Sequence, residues 1–465
     1  MKFILRMRAV NHRRLADLLR AAMPSESVAF ILCRRIESAE RTVFLVDEVV
    51  EVLRSDYVMR EHDIASVSPL GMARVAQQAR QAGQVIVMAH LHPMCPDEVE
   101  FSRADHLGNQ KSFPFFHRRA QSPEHIALVW NAPVSQCLGL VYRKDGSTQE
   151  LDSLVVVDDE SWRECVLSRN ESDDSATFAR QALLLGQAGQ RQLHSIRLGV
   201  VGLGGLGSLI SMAAVHHGFR EIVLIDDDVL EESNLPRVVG SSPHDVLSKR
   251  SKVDIAAAYA AMHDPSCRIE RVQTHVEDPA ILSNLASLDV IAVCTDNTTS
   301  RAFVNQLAQQ YLIPAVDSGL EFVVNGETGQ VANEVGRINL MRPGSPCLWC
   351  TGHLNATRLS AESVPRGERQ REGSYIRGID DPQPSMLAFN MEVAARAAQV
   401  LIGFLTGLFS TEANTFELRT FLRRRGGSLS RLVSKVAKPH CIVCGDQGVV
   451  GRGGAVAMSM THRAA

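Results

Sequence analysis

The most informative pattern of apolar and polar positions lies near the middle of the chain. Leu198–Val201 is an apolar run typical of a buried strand, and Glu221–Ile225 is a second such run that ends in three aspartates. Between them lies the turn Gly202-Leu203-Gly204-Gly205-Leu206-Gly207, followed by a helical pattern up to Gly218. A strand, a glycine turn, a helix and a strand in this order predict a nucleotide-binding βαβ unit.

The first third of the chain also mixes short apolar runs with helical patterns. Periodicity predicts helices over Ile4–Ala22 and Pro69–Ala82, and strands over Val28–Cys33, Val43–Val52 and Val85–Ala89. We therefore expect an α/β fold in this region as well as in the later one.

Length and composition limit the class of protein. The chain of 465 residues is long enough for two or three domains, and its net charge of −3 argues against general binding to nucleic acids or anionic membranes. Arg6 and Arg8 interrupt the apolar start MKFILRMRAV, which makes it a poor signal peptide. The most apolar later stretch, Ala394–Phe409, contains Arg396 and Gln399 and suits a buried or interface helix. These features predict a cytoplasmic protein.

A set of charged and amide side chains follows the glycine turn. Its members are Asp226, Asp228, Asn234, Arg237, Lys252, Asp296 and Asn297. A hydride-transfer enzyme has no need for extra basic and acidic groups in one pocket, whereas an enzyme that acts on the α-phosphate of ATP needs both. Arg237 and Lys252 would neutralise the triphosphate, and Asp296 at a strand end would hold Mg²⁺. The predicted cofactors are therefore ATP and Mg²⁺.

Taken in order, these motifs resemble the adenylation domain of ubiquitin-activating enzymes and their bacterial relatives of the ThiF/MoeB type, from Phe178 to Asp446. The resemblance implies a Rossmann-like fold with a mixed sheet. It also implies that Asp226 binds the ribose, that Asp296 serves the metal, and that a small modifier protein is the substrate. Phosphate contacts would come from Asn234, Arg237 and Lys252, beside the glycines Gly202, Gly204, Gly205 and Gly207.

The segment Phe178-Ala179-Arg180-Gln181 looks like the amino-terminal segment of the same family. In that family, the arginine of this segment reaches into the ATP site of the partner subunit. The resemblance therefore implies a homodimer in which Arg180 acts in trans.

Four of the ten cysteines form two C-x-x-C pairs, Cys347–Cys350 and Cys441–Cys444, each beside turn-forming residues. Paired cysteine knuckles of this kind predict a structural Zn²⁺ with four thiolate ligands. Disulfides or a redox dithiol are the competing interpretations, and a reducing cytosol disfavours both. Several activating-type enzymes carry such a zinc clamp near the carboxyl end, which agrees with the first interpretation.

A second group of metal-ligand types lies in the first third of the chain. His90 and His92 follow the predicted strand Val85–Ala89, and Asp105 lies at the start of the next helix. Two histidines at positions i and i+2 of an extended segment point the same way and can share a metal. With Asp105 they would form a His₂Asp zinc site that leaves one position open.

This arrangement resembles the JAMM metallopeptidases (the MPN/JAB fold), which cut peptide or isopeptide bonds after ubiquitin-like modifiers. The resemblance implies that Glu26 is the general base, with Glu48 and Glu51 as fallback candidates, and that Ser102 steadies the oxyanion. The loop between Pro93 and Ser102 is longer than usual. One of its carboxylates, from Asp97, Glu98 or Glu100, is an alternative to Asp105 as ligand, and a degenerate fold kept for binding is an alternative to an intact site.

Thioester-forming activating enzymes carry a catalytic cysteine after the first zinc pair, but Thr351–His440 contains no cysteine. Three interpretations stay open, of which we favour the first. The acyl-adenylate passes directly to an acceptor, a hydroxyl of Ser374 or Ser385 forms an oxyester, or a cysteine elsewhere, such as Cys267 or Cys294, takes the acyl group.

We predict a JAMM-type domain over residues 1–155, a linker over 156–176, a ThiF-type adenylation domain over 177–446 and a disordered tail over 447–465. The predicted function is adenylation of the terminal glycine of a ubiquitin-like modifier, combined with peptidase processing or removal of that modifier. The expected partners are the modifier and a conjugating enzyme or sulfur donor. The resemblance implies a bacterial conjugation system with a role in antiviral defence. Alternatives are activation and trimming of a sulfur carrier, and a nucleotide-dependent scaffold with an inactive peptidase half. An oxidoreductase is the weakest alternative.

Overall fold

The computed structural model describes residues 1–458 except 98, 158–161, 167–175, 326, 363, 365–383, 409–414, 421–427 and 434. These residues form two compact units. Unit 1 comprises Met1–Asp158, Trp162–Glu171 and Gly451–Val456, and unit 2 comprises the rest. Most of the predicted linker, residues 156–176, lies outside the described residues.

The helices and strands of unit 1 form a mixed α/β arrangement. The strands are β1 (Lys2–Arg8), β2 (Val28–Glu37), β3 (Arg41–Glu51), β4 (Tyr57–Arg60), β5 (Ala65–Val67), β6 (Val85–Leu91), β7 (Glu124–Trp130), β8 (Cys137–Arg143), β9 (Thr148–Glu150), β10 (Ser153–Val157) and β11 (Trp162–Glu164), and the helices are α1 (Ala9–Arg20), α2 (Pro69–Ala82) and α3 (Arg103–Ala120). Among these, β4 and β5 pair only with each other, and the others form one sheet in the order β11-β10-β1-β3-β2-β6-β7-β8-β9.

Strand β2 shows why this sheet is buried on both faces. Ala29 and Ile31 belong to an apolar cluster shared with α1, whereas Phe30 and Leu32 belong to a cluster shared with α2 and α3. Because successive side chains of a strand point to opposite faces, helices must cover both sides of the sheet. This layering holds β6, which carries His90, between β2 and β7.

The helix predicted over Ile4–Ala22 is wrong in its first part. Lys2–Arg8 is strand β1, parallel to both β3 and β10, and helix α1 begins only at Ala9. A short apolar run does not by itself distinguish a buried strand from a helix. Here the two neighbouring strands, which are distant in sequence, decide the outcome.

Unit 2 is a doubly wound α/β unit extended by antiparallel strands. Its strands are β12 (Arg197–Val201), β13 (Glu221–Ile225), β14 (Arg268–Val272), β15 (Val290–Val293), β16 (Ala315–Val324), β17 (Val331–Met341), β18 (Thr415–Thr420) and β19 (Ser428–Val433), and its helices are α4 (Ala179–Ser195), α5 (Gly205–His216), α6 (Pro243–Leu247), α7 (Lys252–His263), α8 (Leu282–Ala286), α9 (Thr298–Gln310), α10 (Leu348–Thr351), α11 (Ala356–Glu362) and α12 (Leu387–Thr406).

The sheet of unit 2 has the order β14-β13-β12-β15-β16-β17-β18-β19, parallel from β14 to β16 and antiparallel from β16 to β19. It is therefore the mixed sheet that was predicted. The chain leaves β12 on one side toward β13 and returns on the other side as β15. Such a switch point opens a crevice at the carboxyl ends of the strands, where ligands bind in this class of sheet.

Helix α12 is, within the described ranges, the one helix long and apolar enough to cross a membrane on length and composition alone. Half of its most apolar window is buried inside the protein, where the helix packs on α5, β16 and β17. Burial of Val393, Ala397 and Leu401 identifies it as a core helix of unit 2.

The tail predicted to be disordered from residue 447 has defined structure in its described part. Gly453–Ala455 is a 3₁₀ turn, and Gly453 lies so close to Leu45 that an added Cβ would be 2.9 Å from its Cδ2 atom. The carbonyl of Ala457 accepts a hydrogen bond from Gln306 at 3.1 Å. These packing contacts correct the prediction up to residue 458, and residues 459–465 lie outside the described residues.

Candidate functional site

A cavity of about 770 Å³ opens at the carboxyl ends of β12, β13, β14 and β15. Most of the predicted nucleotide-binding residues line it. They are Gly202, Gly204, Gly205, Asp226, Asp228, Asn234, Arg237, Lys252, Asp296 and Asn297. The parallel strands explain this convergence, because each residue group follows the end of a different strand at one edge of the sheet.

The glycine turn brings backbone rather than side chains to the cavity. Gly202 has a φ of +85°, and its N–H donates to the carbonyl of Ile225 at 2.9 Å. Gly207 does not line the cavity; an added Cβ there would collide with the carbonyl oxygen of Gly202. Gly207 thus allows helix α5 to pack against the turn, which aims the free N–H groups of the first helical turn at the cavity.

Asp226 and Lys252 form the buried centre of the site. The carboxylate of Asp226 accepts hydrogen bonds from the N–H groups of Leu203 and Asp228 at 2.5 and 2.9 Å. The Nζ atom of Lys252 lies 2.6 Å from Asp228 Oδ2 and 3.9 Å from Asp226 Oδ1. Burial lowers the pKa of Lys252, but Asp226, Asp228 and Asp296 outweigh it and raise the pKa above its ordinary value. Lys252 is therefore a fixed cation beside carboxylates that can hold a ribose or a metal.

Arg237 and Asn234 come from the 3₁₀ helix Glu232–Asn234 and the turn after it. The side chain of Asn234 is buried and its Oδ1 accepts from the N–H of Glu231 at 3.2 Å, while Arg237 donates to the carbonyl of Ser233 at 2.7 Å. The Arg237 side chain is half-buried at the cavity wall, where its charge is available to an anionic ligand.

Asp296 lies in the loop between β15 and α9 and is exposed to the cavity. Arg301 donates from Nε and Nη2 to the carbonyl of Thr295 at 3.1 and 2.8 Å, and Asn297 Oδ1 accepts from the N–H of Ser300 at 2.7 Å. The residues on either side of Asp296 are thus fixed, while its carboxylate is left for a ligand.

The four predicted zinc cysteines come together in unit 2. Sγ atoms of Cys347 and Cys441 are 3.6 Å apart, those of Cys350 and Cys444 are 3.5 Å apart, and all four lie within 4.8 Å of one another. Thiolates bound tetrahedrally at about 2.3 Å from one zinc ion are about 3.8 Å apart, whereas disulfide sulfurs are about 2.05 Å apart. The described thiols are therefore free and fit a single Zn²⁺.

His90, His92 and Asp105 come together in unit 1. The Nε2 atoms of His90 and His92 are 3.2 Å apart. These atoms lie 3.1 Å (His90) and 3.3 Å (His92) from the carboxylate oxygens of Asp105. Ligands at about 2.0 Å from a tetrahedral zinc ion are about 3.3 Å apart, so the spacing fits one ion. Burial would raise the pKa of Asp105, but hydrogen bonds with the two histidines hold it well below its usual range. The carboxylate is available to a cation.

Two further residues were predicted for this site, Glu26 and Ser102, and each lies beside one of these three side chains. Glu26 precedes β2, and its Oε1 lies 3.6 Å from His92 Nε2. Burial raises the pKa of Glu26, as suits a proton acceptor that works near neutral pH. Ser102 is the N-cap of α3 and forms a capping box with Asp105, which fixes the Asp105 carboxylate beside the histidines. The fallback Glu48 instead accepts from Gln78 at an exposed site, and Glu98 lies outside the described residues.

The ThiF family profile matches residues 178–436, which is more than half of the chain. The chain belongs to the ThiF family. The SAMP-activating enzyme E1 of Haloferax volcanii is 31% identical over 166 residues, covering 36% of this chain and 57% of that protein. The sulfur carrier protein ThiS adenylyltransferase of Escherichia coli is 29% identical over 134 residues, covering 28% and 53%. The chain thus spans little more than half the length of these curated relatives.

Among solved structures, the ThiF-family chain is similar to Escherichia coli MccB with ATP. The sequence identity is 19%, the TM-score is 0.45, and the match covers 59% of this chain and 76% of that one.

Several cavity residues of this ThiF-family chain were missed by sequence reasoning. They are Arg301, Arg358, Glu362 and Asn390. Arg301 lies one helical turn after Asn297, so it could have been found from spacing, whereas the other three come from segments distant in sequence. Conversely, Arg180 is exposed on α4 and is not part of the cavity wall of its own chain.

Proposed function

We propose that unit 2 uses ATP to adenylate the terminal glycine of a small ubiquitin-like or sulfur-carrier protein. The observation that carries this proposal is one cavity in which the glycine turn, Asp226, Lys252, Arg237 and Asp296 converge. A nucleotide with three phosphates requires both the cations and the free backbone N–H groups. The relatives named above, an activating enzyme and a sulfur-carrier adenylyltransferase, support the same reaction class.

In this proposal each side chain has one task. Asp226 binds the ribose, and Asn234, Arg237, Lys252 and the amino end of α5 hold the phosphates. A carboxylate placed beside the α-phosphate then attacks it and releases pyrophosphate, driven by positioning and charge neutralisation. Asp296, with Asn297 beside it, would hold Mg²⁺, which supplies further charge neutralisation when bound.

The acyl-adenylate is proposed to pass directly to its acceptor. Cys294 lies at the cavity wall beside Ser318, and burial raises its pKa to about 12; burial also raises the pKa of Cys267 to about 12. Neither thiol is suited to nucleophilic attack at neutral pH. Ser385 lies in the cavity wall and accepts a hydrogen bond from Asn390 at 3.1 Å, so an oxyester on Ser385 is the alternative. Ser374 lies outside the described residues.

We further propose that unit 1 is a JAMM-type metallopeptidase that processes or removes the same modifier. His90, His92 and Asp105 would hold the catalytic Zn²⁺, and a bound zinc ion would polarise the scissile carbonyl and lower the pKa of water. Glu26 would take the proton from the attacking water, and the Ser102 hydroxyl would donate to the oxyanion. Cys347, Cys350, Cys441 and Cys444 would hold a second, structural Zn²⁺.

The assembly proposed for this chain is a cytoplasmic homodimer in which Arg180 reaches the partner subunit's nucleotide cavity. Its exposure on α4 supports this assignment. The partners would be the modifier and either a conjugating enzyme or a sulfur donor, in a bacterial conjugation system. The absence of cysteine from Thr351–His440 favours sulfur-carrier activation as the second candidate, because direct transfer needs no thioester.

ATP–pyrophosphate exchange by the purified protein, with and without a candidate glycine-ending carrier, tests the adenylation proposal. We expect exchange that requires the carrier and is lost in Asp296→Ala. Bound ATP without exchange for any carrier would contradict the proposal. That result would favour a function in the peptidase half or a scaffold role instead.

Zinc content separates the peptidase from a scaffold with an inactive amino-terminal site. We expect two zinc equivalents per chain, and one in His90→Ala. A wild-type value of one, unchanged in His90→Ala, would show that the His₂Asp site is not a zinc site.

A further inference from the structure

Helix α9 begins directly after Asp296 and Asn297, so the position of this helix sets the position of the proposed metal-binding acid. Its first residues, Thr298 and Thr299, are buried. Asn297 caps the helix through the N–H of Ser300. The other free N–H groups of the first turn need partners as well.

Those partners come from Glu362 at the end of α11. Its Oε2 atom accepts hydrogen bonds from the N–H groups of Thr298 and Thr299 at 2.8 and 3.0 Å, and from Thr299 Oγ1 at 3.2 Å. The Glu362 side chain is only 8% exposed. A buried carboxylate at the positive end of a helix is a strong restraint on that end.

The same stretch of chain also holds the carboxyl-terminal half of α9. The N–H of Leu348 donates to Asn305 Oδ1 at 2.8 Å. Gln309 accepts from the N–H of Gly344 at 2.8 Å and donates to the carbonyl of Arg342 at 2.9 Å. Asn305 and Gln309 are fully buried on a polar face of α9. Their side chains form hydrogen bonds with this stretch of chain instead of with water.

We propose that residues 342–362, here named the α9 clamp, fix α9 at both ends and that Glu362 is a positioning residue for Asp296. This inference rests on the proposed adenylation function. The clamp includes Cys347 and Cys350, so the cysteine cluster is linked through it to the nucleotide cavity. It also brings Arg358, whose Nε lies 3.3 Å from Glu362 Oε1, to the cavity wall.

Glu362 affects the position of Asp296 through the first turn of α9. Loss of the Glu362 carboxylate leaves two buried N–H groups and one hydroxyl without this acceptor, and the turn that carries Asp296 shifts or frays to reach water. Asp296 itself keeps its carboxylate, so the expected defect is in metal affinity and turnover rather than in ATP binding.

Glu362→Ala, Glu362→Gln and the control Glu321→Ala test the proposal in the full-length protein. Glu321 is exposed and pairs with Arg337 outside the cavity wall, so its removal matches the change in charge. Because residues that orient metal ligands typically change activity or affinity about 10–100-fold, we expect Glu362→Ala to lower kcat of pyrophosphate exchange and raise half-saturating Mg²⁺ by about tenfold or more. KM for ATP should stay within about twofold, as for an interaction that does not bind nucleotide. Glu362→Gln should recover part of the loss, because its amide oxygen still accepts.

Binding of Mn²⁺, followed by electron paramagnetic resonance in the presence of the non-hydrolysable analogue AMPCPP, gives a readout without turnover. We expect weaker Mn²⁺ binding in Glu362→Ala and an unchanged value in Glu321→Ala. If wild-type protein shows no exchange, the adenylation proposal fails, and the Mn²⁺ titration still decides the role of Glu362. Equal Mn²⁺ affinity and kcat in Glu362→Ala and the control would overturn the positioning role. A loss of thermal stability in Glu362→Ala with Mn²⁺ affinity and half-saturating Mg²⁺ unchanged would overturn it too.

Discussion

The histidine site of unit 1 and the nucleotide cavity of unit 2 both gather charged side chains at strand ends, but they differ in the space between those groups. In unit 1, polar atoms of His90, His92 and Asp105 lie 3.1–3.3 Å from one another, and Glu26 lies 3.6 Å from His92. In unit 2, the charged groups surround a cavity of about 770 Å³. The first arrangement suits a single ion and a water molecule, and the second suits a nucleotide.

The two sites also balance charge in different ways. In unit 1, two histidines and the Asp105 carboxylate form a ligand set that leaves one position open, and the Glu26 carboxylate lies beside His92. In unit 2, Lys252 pairs with Asp228 and lies 3.9 Å from Asp226, and Arg237 and Asp296 line the same cavity. Such a mixture of signs can hold phosphates and a metal ion together. Substitutions in one site should therefore leave the other site unaffected, and the following predictions use this separation.

The largest effect is expected for Glu26→Gln. Removal of a general base lowers turnover by about 10²–10⁴-fold, so release of a fluorophore amide from the carboxyl terminus of the modifier should fall by that amount. Zinc content and pyrophosphate exchange should stay at wild-type values. Glu48→Gln is the matched control, and a larger loss in that variant would reassign the base.

Lys252→Gln should have the next largest effect, confined to unit 2. Loss of a fixed cation at a site of developing charge lowers rates by about 10²–10³-fold, which pyrophosphate exchange will measure. Lys249→Gln removes the same charge from an exposed position and should have no effect. Equal rates in the two variants would show that Lys252 only stabilises the carboxylates of Asp226 and Asp228.

Ser102→Gly separates the N-cap role of Ser102 from its proposed oxyanion role. Glycine is nearly as good an N-cap, so unfolding free energy should change by only a few tenths of a kcal/mol. The Ser102 hydroxyl proton is free for a second bond, because its oxygen only accepts from the Asp105 N–H. If Ser102 donates to the oxyanion, peptidase turnover should fall by about 10²-fold. An unchanged rate would leave Ser102 with the cap alone.

The smallest effect is a gradual loss of stability in acid. Burial, then the charge of His117, lowers the pKa of His125 to about 3, and its Nδ1 accepts from the N–H of Ile86 at 3.0 Å. The folded state keeps His125 neutral while the unfolded state takes up a proton below about pH 6.5, so stability is present above that pH and lost toward pH 3. The expected slope is about 1.4 kcal/mol per pH unit.

Chemical denaturation between pH 7 and pH 5 will measure this slope. His125→Asn keeps an acceptor for Ile86 and cannot titrate, so it should show a shallower slope than wild type. Identical slopes would mean that other groups cause the acid sensitivity. Carboxylates and zinc ligands contribute equally to both proteins and cancel in the difference.

Much of the local structure follows from the sequence because it depends on neighbouring residues. Helix α2 was predicted over Pro69–Ala82 with its observed bounds, since Ser68 caps it and Pro69 suits its first turn. Strand β13 was also predicted with its observed bounds, because its apolar run ends at three aspartates. Strand β1 was misread because its partners, β3 and β10, lie far along the chain.

The sequence by itself determined the glycine turn, the order of the nucleotide-binding residues, the two cysteine pairs and the histidine pair at the end of β6, because these depend on spacing within one segment. Only the tertiary structure decided that β15 lies beside β12, which brings Asp296 to the cavity of Asp226 and Lys252. It also decided that Glu362 caps α9 and that Asp105 meets both histidines. Such contacts join distant segments, and they exist only after both sheets have buried their apolar faces.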